Sequence, residues 1–182
     1  ACSASESGLD RAFEEAEAAL RRGQLQNALV LVDEALDAQA SSAAGSAVAW
    51  RFRLLRAEIL IARAELQEAL PLLTAALPSE STFDQLRVRQ KYLSAKAQVV
   101  QGSLEKARAT LAEGTGPAPP SPALAWEMAI LQGQIELRLG RWIEAETALN
   151  AVAAEAGRAG DRYRQALAMN NLGMGRLVRG RF

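Results

Sequence analysis

The residue types capable of chemistry in this sequence are carboxylates, guanidiniums, three tryptophans and a single cysteine, Cys2; histidine is absent. Without an imidazole the chain cannot assemble a Ser-His-Asp triad, a histidine general base or a histidine metal site. One cysteine excludes an internal disulfide framework and a multi-cysteine zinc site. The neighbouring acids Glu14-Glu15, and Glu144 with Glu146, stand among other charges in helical stretches, the pattern of solvated helix faces rather than of a paired acid and base. Gly173, Gly175 and Gly180 miss the G-x-G-x-x-G spacing of a dinucleotide loop and fall in a helical segment, and no P-loop occurs. Trp50, Trp126 and Trp142 keep step with the repeat described below, which marks them as packing residues. No catalytic residue, metal ligand or cofactor site is expected, so function has to come from the surfaces that the elements build.

Those elements are helical. Hydrophobic residues make up 49% of the chain and aromatics only 5%; the apolar share is mostly Ala and Leu and the polar share mostly Arg, Glu and Gln, all good helix formers. No run shows the period-two alternation of a half-buried strand, and an all-α class follows. Lys plus Arg and Asp plus Glu each number 21, for a formal net charge of zero, so no global field gathers nucleic acid. The charge is uneven along the chain, with five acids and one Arg in residues 1 to 20 and six Arg and one Asp in residues 158 to 182. The unevenness reads first as a set of solvated faces; the alternative is that ends of opposite sign favour head-to-tail contacts that salt would screen. No apolar run is long enough to span a membrane. Ala1-Cys2-Ser3-Ala4-Ser5 resembles the cleavage junction of bacterial lipoproteins; that resemblance implies lipidation at Cys2, a polar tether over residues 1 to 7 and an exported, anchored protein, the alternative being a cytoplasmic one.

The organising signal is an internal repeat: a small residue, a turn residue seven positions on, an apolar residue two further, an Ala three beyond that and an aliphatic four later. Its copies are Ala16, Gly23, Leu25, Ala28, Val32; Ala57, Ala64, Leu66, Ala69, Leu73; Ala95, Gly102, Leu104, Ala107, Leu111; and Gly133, Gly140, Trp142, Ala145, Leu149. A fifth copy starts with Gly173, Gly180 and Phe182. Each unit reads as two antiparallel helices, the first ended by a Gly in the left-handed conformation. Small residues stand where the two helices cross, and a pair of this kind cannot bury its own apolar stripe unless pairs stack.

These residues resemble the tetratricopeptide repeat family, with Asn170-Asn171-Leu172-Gly173 especially similar to the first helix of its unit. The resemblance implies a right-handed superhelical α-solenoid of antiparallel pairs: one domain over residues 8 to 182, about 4.5 repeats and about nine helices. Helices are expected over residues 8–22, 25–39, 46–63, 66–77, 82–101, 104–112, 122–139, 142–157 and 161–179. Ser7, Thr82 with Gln85, Ser121 before Pro122, and Asp161 are the expected N-terminal caps. The segment from Gly114 to Pro120 reads as a break between units. Leu167, Leu172, Leu177 and Val178 on the last helix lack a partner helix, which suggests a chain that continues and a face prone to self-association.

The same resemblance implies a concave groove lined by the first helix of each unit, taking a protein or peptide. Its lining would be Phe13, Glu17 and Leu20; Arg51, Leu54, Glu58 and Ile61; Arg89, Tyr92, Lys96 and Val99; and Glu127, Ile130, Gln134, Leu137 and Arg138. Arg51, Tyr92, Lys96, Arg138 and Asn170 are the expected partner-binding residues. A non-catalytic binding scaffold is the leading expectation. The alternatives are a regulatory arm of a larger enzyme, since such Ala-Arg-rich repeats resemble those ahead of caspase-like CHAT-type protease domains, and a structural spacer or self-assembling rod.

Overall fold

The computed structural model describes residues 2–39, 45–114 and 119–180, with side chains from residue 7 onward. Among these residues the chain is all-helical: α1 (Cys2–Arg21), α2 (Leu25–Gln39), α3 (Ala47–Ala62), α4 (Leu66–Thr74), α5 (Asp84–Val100), α6 (Leu104–Glu113), α7 (Pro122–Arg138), α8 (Trp142–Arg158) and α9 (Arg162–Val178), with a short 3-10 turn over Ser81–Phe83. Each helix packs on its chain neighbours, and successive odd-numbered helices also touch one another. The result is a solenoid-like stack of helix pairs, with α1, α3, α5, α7 and α9 forming its inner wall.

The repeat positions lie where the pattern requires. Ala16, Ala57 and Ala95 on the first helices and Ala28, Ala69, Ala107 and Ala145 on the second are wholly buried. Val32, Leu73, Leu111 and Leu149, seven residues after each apolar turn position, are buried with them. At Gly133 the crossing is so close that an added Cβ would stand 2.5 Å from Leu149 Cγ. The core is continuous: α3, with ten buried residues on all sides, belongs to both the cluster around Phe13, Phe52 and Ile59 and the one around Leu60, Leu93 and Ile135. A third cluster joins α7, α8 and α9 through Ile130, Leu149, Val152, Ala168 and Leu172. Trp50 is buried, while Trp126 and Trp142 are half-buried, Trp126 donating its indole N–H to Glu155.

The turns are built alike. Gly23, Gly102, Gly140 and Gly180 all adopt positive φ, and so does Ala64 at 62°, although it carries a Cβ. At the first turn the amide of Gln24 reaches back to the carbonyl of Ala19, closing the helix end. Gly160 makes the same turn between α8 and α9.

Several boundaries differ from expectation for identifiable reasons. The backbone is helical from Cys2 rather than from residue 8, so Ser7 lies within α1 and not at its cap. The Cys2 side chain, expected to carry lipid, lies outside the described side chains, as does Phe182. Thr82 and Gln85 form no capping box; Thr82 sits in the 3-10 turn, and Gln85 instead donates to the carbonyl of Pro119 and accepts from the amide of Ser121. Ser121 and Asp161 do cap, accepting from the amides of Leu124 and Arg164. Ser46 caps α3 through the amide of Ala49. Helix α4 stops at Thr74, short of 77, with Ala75 extended. The expected break from Gly114 to Pro120 includes residues 115–118, outside the described residues.

Two stability changes follow. Ala64 is exposed and holds a backbone conformation that costs a Cβ-bearing residue about 1–2 kcal/mol. Ala64→Gly should therefore raise the free energy of unfolding by roughly 0.5–1 kcal/mol after the greater freedom of the unfolded chain is deducted, seen as a higher urea midpoint at constant slope. Gly133→Val should lower it by about 2 kcal/mol through overpacking against Leu149, and a variant as stable as the parent would show that this crossing can relax.

Candidate binding groove

The inner wall encloses an open cavity of about 570 Å³ whose lining includes Phe13, Glu17, Arg51, Glu58, Arg89, Tyr92, Lys96, Glu127, Tyr163 and Arg164. Tyr163 and Arg164 of α9 and Leu20, Arg21 and Leu25 of the first pair line the same space, so the stack curls round to bring its two ends to one cavity.

The charged residues of the wall stand in two rows, because odd-numbered helices run parallel and one repeat carries a residue to the facing position on the next. In the outer row Arg51 Nη1 donates to Asp10 Oδ1 at 2.9 Å, 41 residues away, and Arg164 pairs with Glu127, 37 residues away. In the inner row Lys96 Nζ donates to Glu58 Oε1 at 2.8 Å, 38 residues away, and Gln134 Nε2 donates to Asn171 Oδ1 at 3.1 Å, 37 residues away. Arg89 ties the rows together, with Nη2 2.7 Å from Glu58 Oε2 and 3.7 Å from Glu17 Oε1. Arg164 also holds Asp161 at 2.7 Å.

Glu58 is the buried centre of this network, only 7% exposed. Burial alone would raise its carboxyl, but the Lys96 ammonium and the Arg89 guanidinium, each hydrogen-bonded to it, bring its pKa from 4.5 down to about 2. Burial likewise works against the charge of Lys96 and of Arg89, and Glu58 more than compensates, holding both above their usual ranges. The Tyr92 phenol is pushed up, chiefly by burial. At neutral pH Glu58 is therefore a poor base, Lys96 a fixed cation and Tyr92 a neutral phenol, so none of the three is poised to exchange a proton. What the groove offers is shape and charge: five cations (Arg21, Arg51, Arg89, Lys96, Arg164) against three carboxylates (Glu17, Glu58, Glu127). Two aromatic contacts frame it, with the Arg51 guanidinium 4.3 Å over the Phe13 ring and Lys96 Nζ 5.8 Å from the centre of the Tyr92 ring. Among the described residues no three His, Cys, Asp or Glu side chains gather as a metal site, and no helix is long and apolar enough to cross a membrane.

Of the expected partner-binding residues, Arg51, Tyr92 and Lys96 line the cavity together. Arg138 does not; its Nη1 donates to the Val99 carbonyl at 3.3 Å instead. Asn170 is exposed on α9 away from the cavity, and its neighbour Asn171 takes the place in the inner row. The reason is a slide of α9: its turn follows that of α7 by 40 residues, whereas its row positions follow by 37, nearly one helical turn less. Leu54, Ile61, Val99 and Ile130, also expected in the lining, are buried in the core. Arg164 was missed for the same reason as Asn171, though its spacing from Glu127 repeats that between Glu127 and Arg89 to within one residue.

The pairing carries a pH dependence with a defined sign. Because the folded carboxyl of Glu58 lies below its unfolded value, its stabilisation is complete above about pH 4.5 and is lost as pH falls from there toward about 2. Glu58→Gln should cost about 3 kcal/mol at pH 7 by leaving Arg89 and Lys96 without their carboxylate, and should flatten this acid limb; urea denaturation from pH 3 to 7 measures both.

Comparison with protein-family models, with curated proteins and with solved structures returned no match to this chain.

Proposed function

We propose that this chain is a non-catalytic scaffold of tetratricopeptide-like repeats that holds a peptide segment of a partner protein in its inner groove. The observation that carries the reading is the convergence of one face from all five odd-numbered helices, α1 to α9, on one open cavity. A scaffold whose helices served only as a spacer would need no charged residues turned inward, since each such residue must be paired at a cost in desolvation. Arg51, whose partner Asp10 is largely exposed, can exchange it for a carboxylate of an extended acidic segment, and the Phe13 and Tyr163 rings supply apolar contact in the same lining.

Arg51 is the residue on which to test this, because it lines the groove and pairs only at the surface. Its partner Asp10 is largely exposed, and a surface pair of this kind contributes at most about 1 kcal/mol. Peptides selected from a random display library against the chain should be rich in Asp and Glu. Their affinity should fall about tenfold or more on Arg51→Glu and stay unchanged on Arg138→Glu, which lies off the groove. Selected peptides that bind the two variants equally well would remove the groove as the binding site.

A further inference from the structure

The cations that line the groove are not equally committed. Arg89, Lys96 and Arg164 are at most 31% exposed and are held by Glu58 or Glu127, carboxylates at most 21% exposed. Arg51 and Arg21 are 39% and 45% exposed, and surface pairs of this kind part at little cost. Asp10, the partner of Arg51, is itself 61% exposed, so water replaces the guanidinium when it leaves. Glu17 holds Arg21 only loosely, at 3.4 Å, and keeps a second cation in Arg89 at 3.7 Å. Asp161 of α9, which also feels the charge of Arg21, is already satisfied by the guanidinium and the backbone amide of Arg164.

The two exchangeable cations stand at opposite ends of one line. Arg51 marks the level of Asp10 on α1, because the two meet across the wall at 2.9 Å. Its guanidinium also lies on the Phe13 ring, which keeps it in place once Asp10 is released. Arg21 follows Asp10 on the same helix, about three turns and about 16 Å further along, so Asp10, Phe13, Glu17 and Arg21 share one side of α1. Apart from Glu17, the α1 lining between the ends is apolar, from Phe13 and Leu20. Across the cavity lies Leu167 of α9; the sequence suggested that it and Leu172 were uncovered, and both pack inward.

This line fixes what an extended ligand must carry. A strand advances about 3.3 Å per residue and turns alternate side chains to the same side, so residues four apart present carboxylates about 13 Å apart on one side. The flexible stems of two arginines close the remaining distance. Residues two apart would instead place the second carboxylate about 7 Å along, beside Glu17, which repels it. Building on the groove reading above, we infer that the bound segment is extended and carries two acidic side chains four residues apart, one exchanging onto Arg51 and the other onto Arg21.

The test uses the full chain and a random display library of dodecapeptides. Selected peptides should carry Asp or Glu at positions i and i+4 together more often than the separate frequencies allow. A fluorescent peptide of the consensus sequence should lose about tenfold in affinity when either acid is replaced by its amide. The contacts are assigned by combining substitutions on both sides. In Arg21→Gln one of the two acids should no longer matter, and in Arg51→Gln the other, with the urea midpoint of both variants close to that of the parent. Peptides that depend on Arg51 but show no favoured spacing, or that bind Arg21→Gln as tightly as the parent, would overturn the pairing while leaving the groove as the binding site. A favoured spacing of about eleven would overturn it as well, since that spacing belongs to a helical ligand. Peptides indifferent to Arg51→Glu would remove the groove itself, and the pairing with it.

Discussion

A pair of helices joined by a tight turn has two apolar sides and can bury only one of them on itself. Every other feature of this molecule follows from that constraint. The unburied side of each pair has to be covered by the next, so the chain grows by stacking, and α3, with neighbours before and behind, is buried all round while α9 is not. Stacking is close enough only where the crossing residues are small. The fully buried alanines of the repeat and the contact between Gly133 and Leu149 are the places where backbones approach most nearly.

Stacking in register has a second consequence. It aligns one face of every odd-numbered helix along the inner wall, and any polar residue there meets its counterpart one repeat away. Three of these facing pairs are joined across the wall by opposite charges: Asp10 with Arg51, Glu58 with Lys96, Glu127 with Arg164. Burying Glu58 with two cations gains little over an apolar core of equal volume. The inner cavity opens along the wall that these residues line.

The helices, their pairing and the positions of closest approach were legible in the residue pattern, because these depend on local periodicity, turn residues and side-chain size. Even Ala64, which breaks the pattern by type, keeps the turn conformation that its position demands. The family resemblance pointed to Arg51, Tyr92 and Lys96, and these three line one cavity. Three things became visible in the packed fold alone: which charges pair, that α9 slides by nearly one helical turn so that Arg164 and Asn171 take the places expected further along, and that Arg138 turns to the Val99 carbonyl. Those outcomes depend on how one helix lies along another, a distance set by the packing of whole faces, and spacing along a single chain does not encode it.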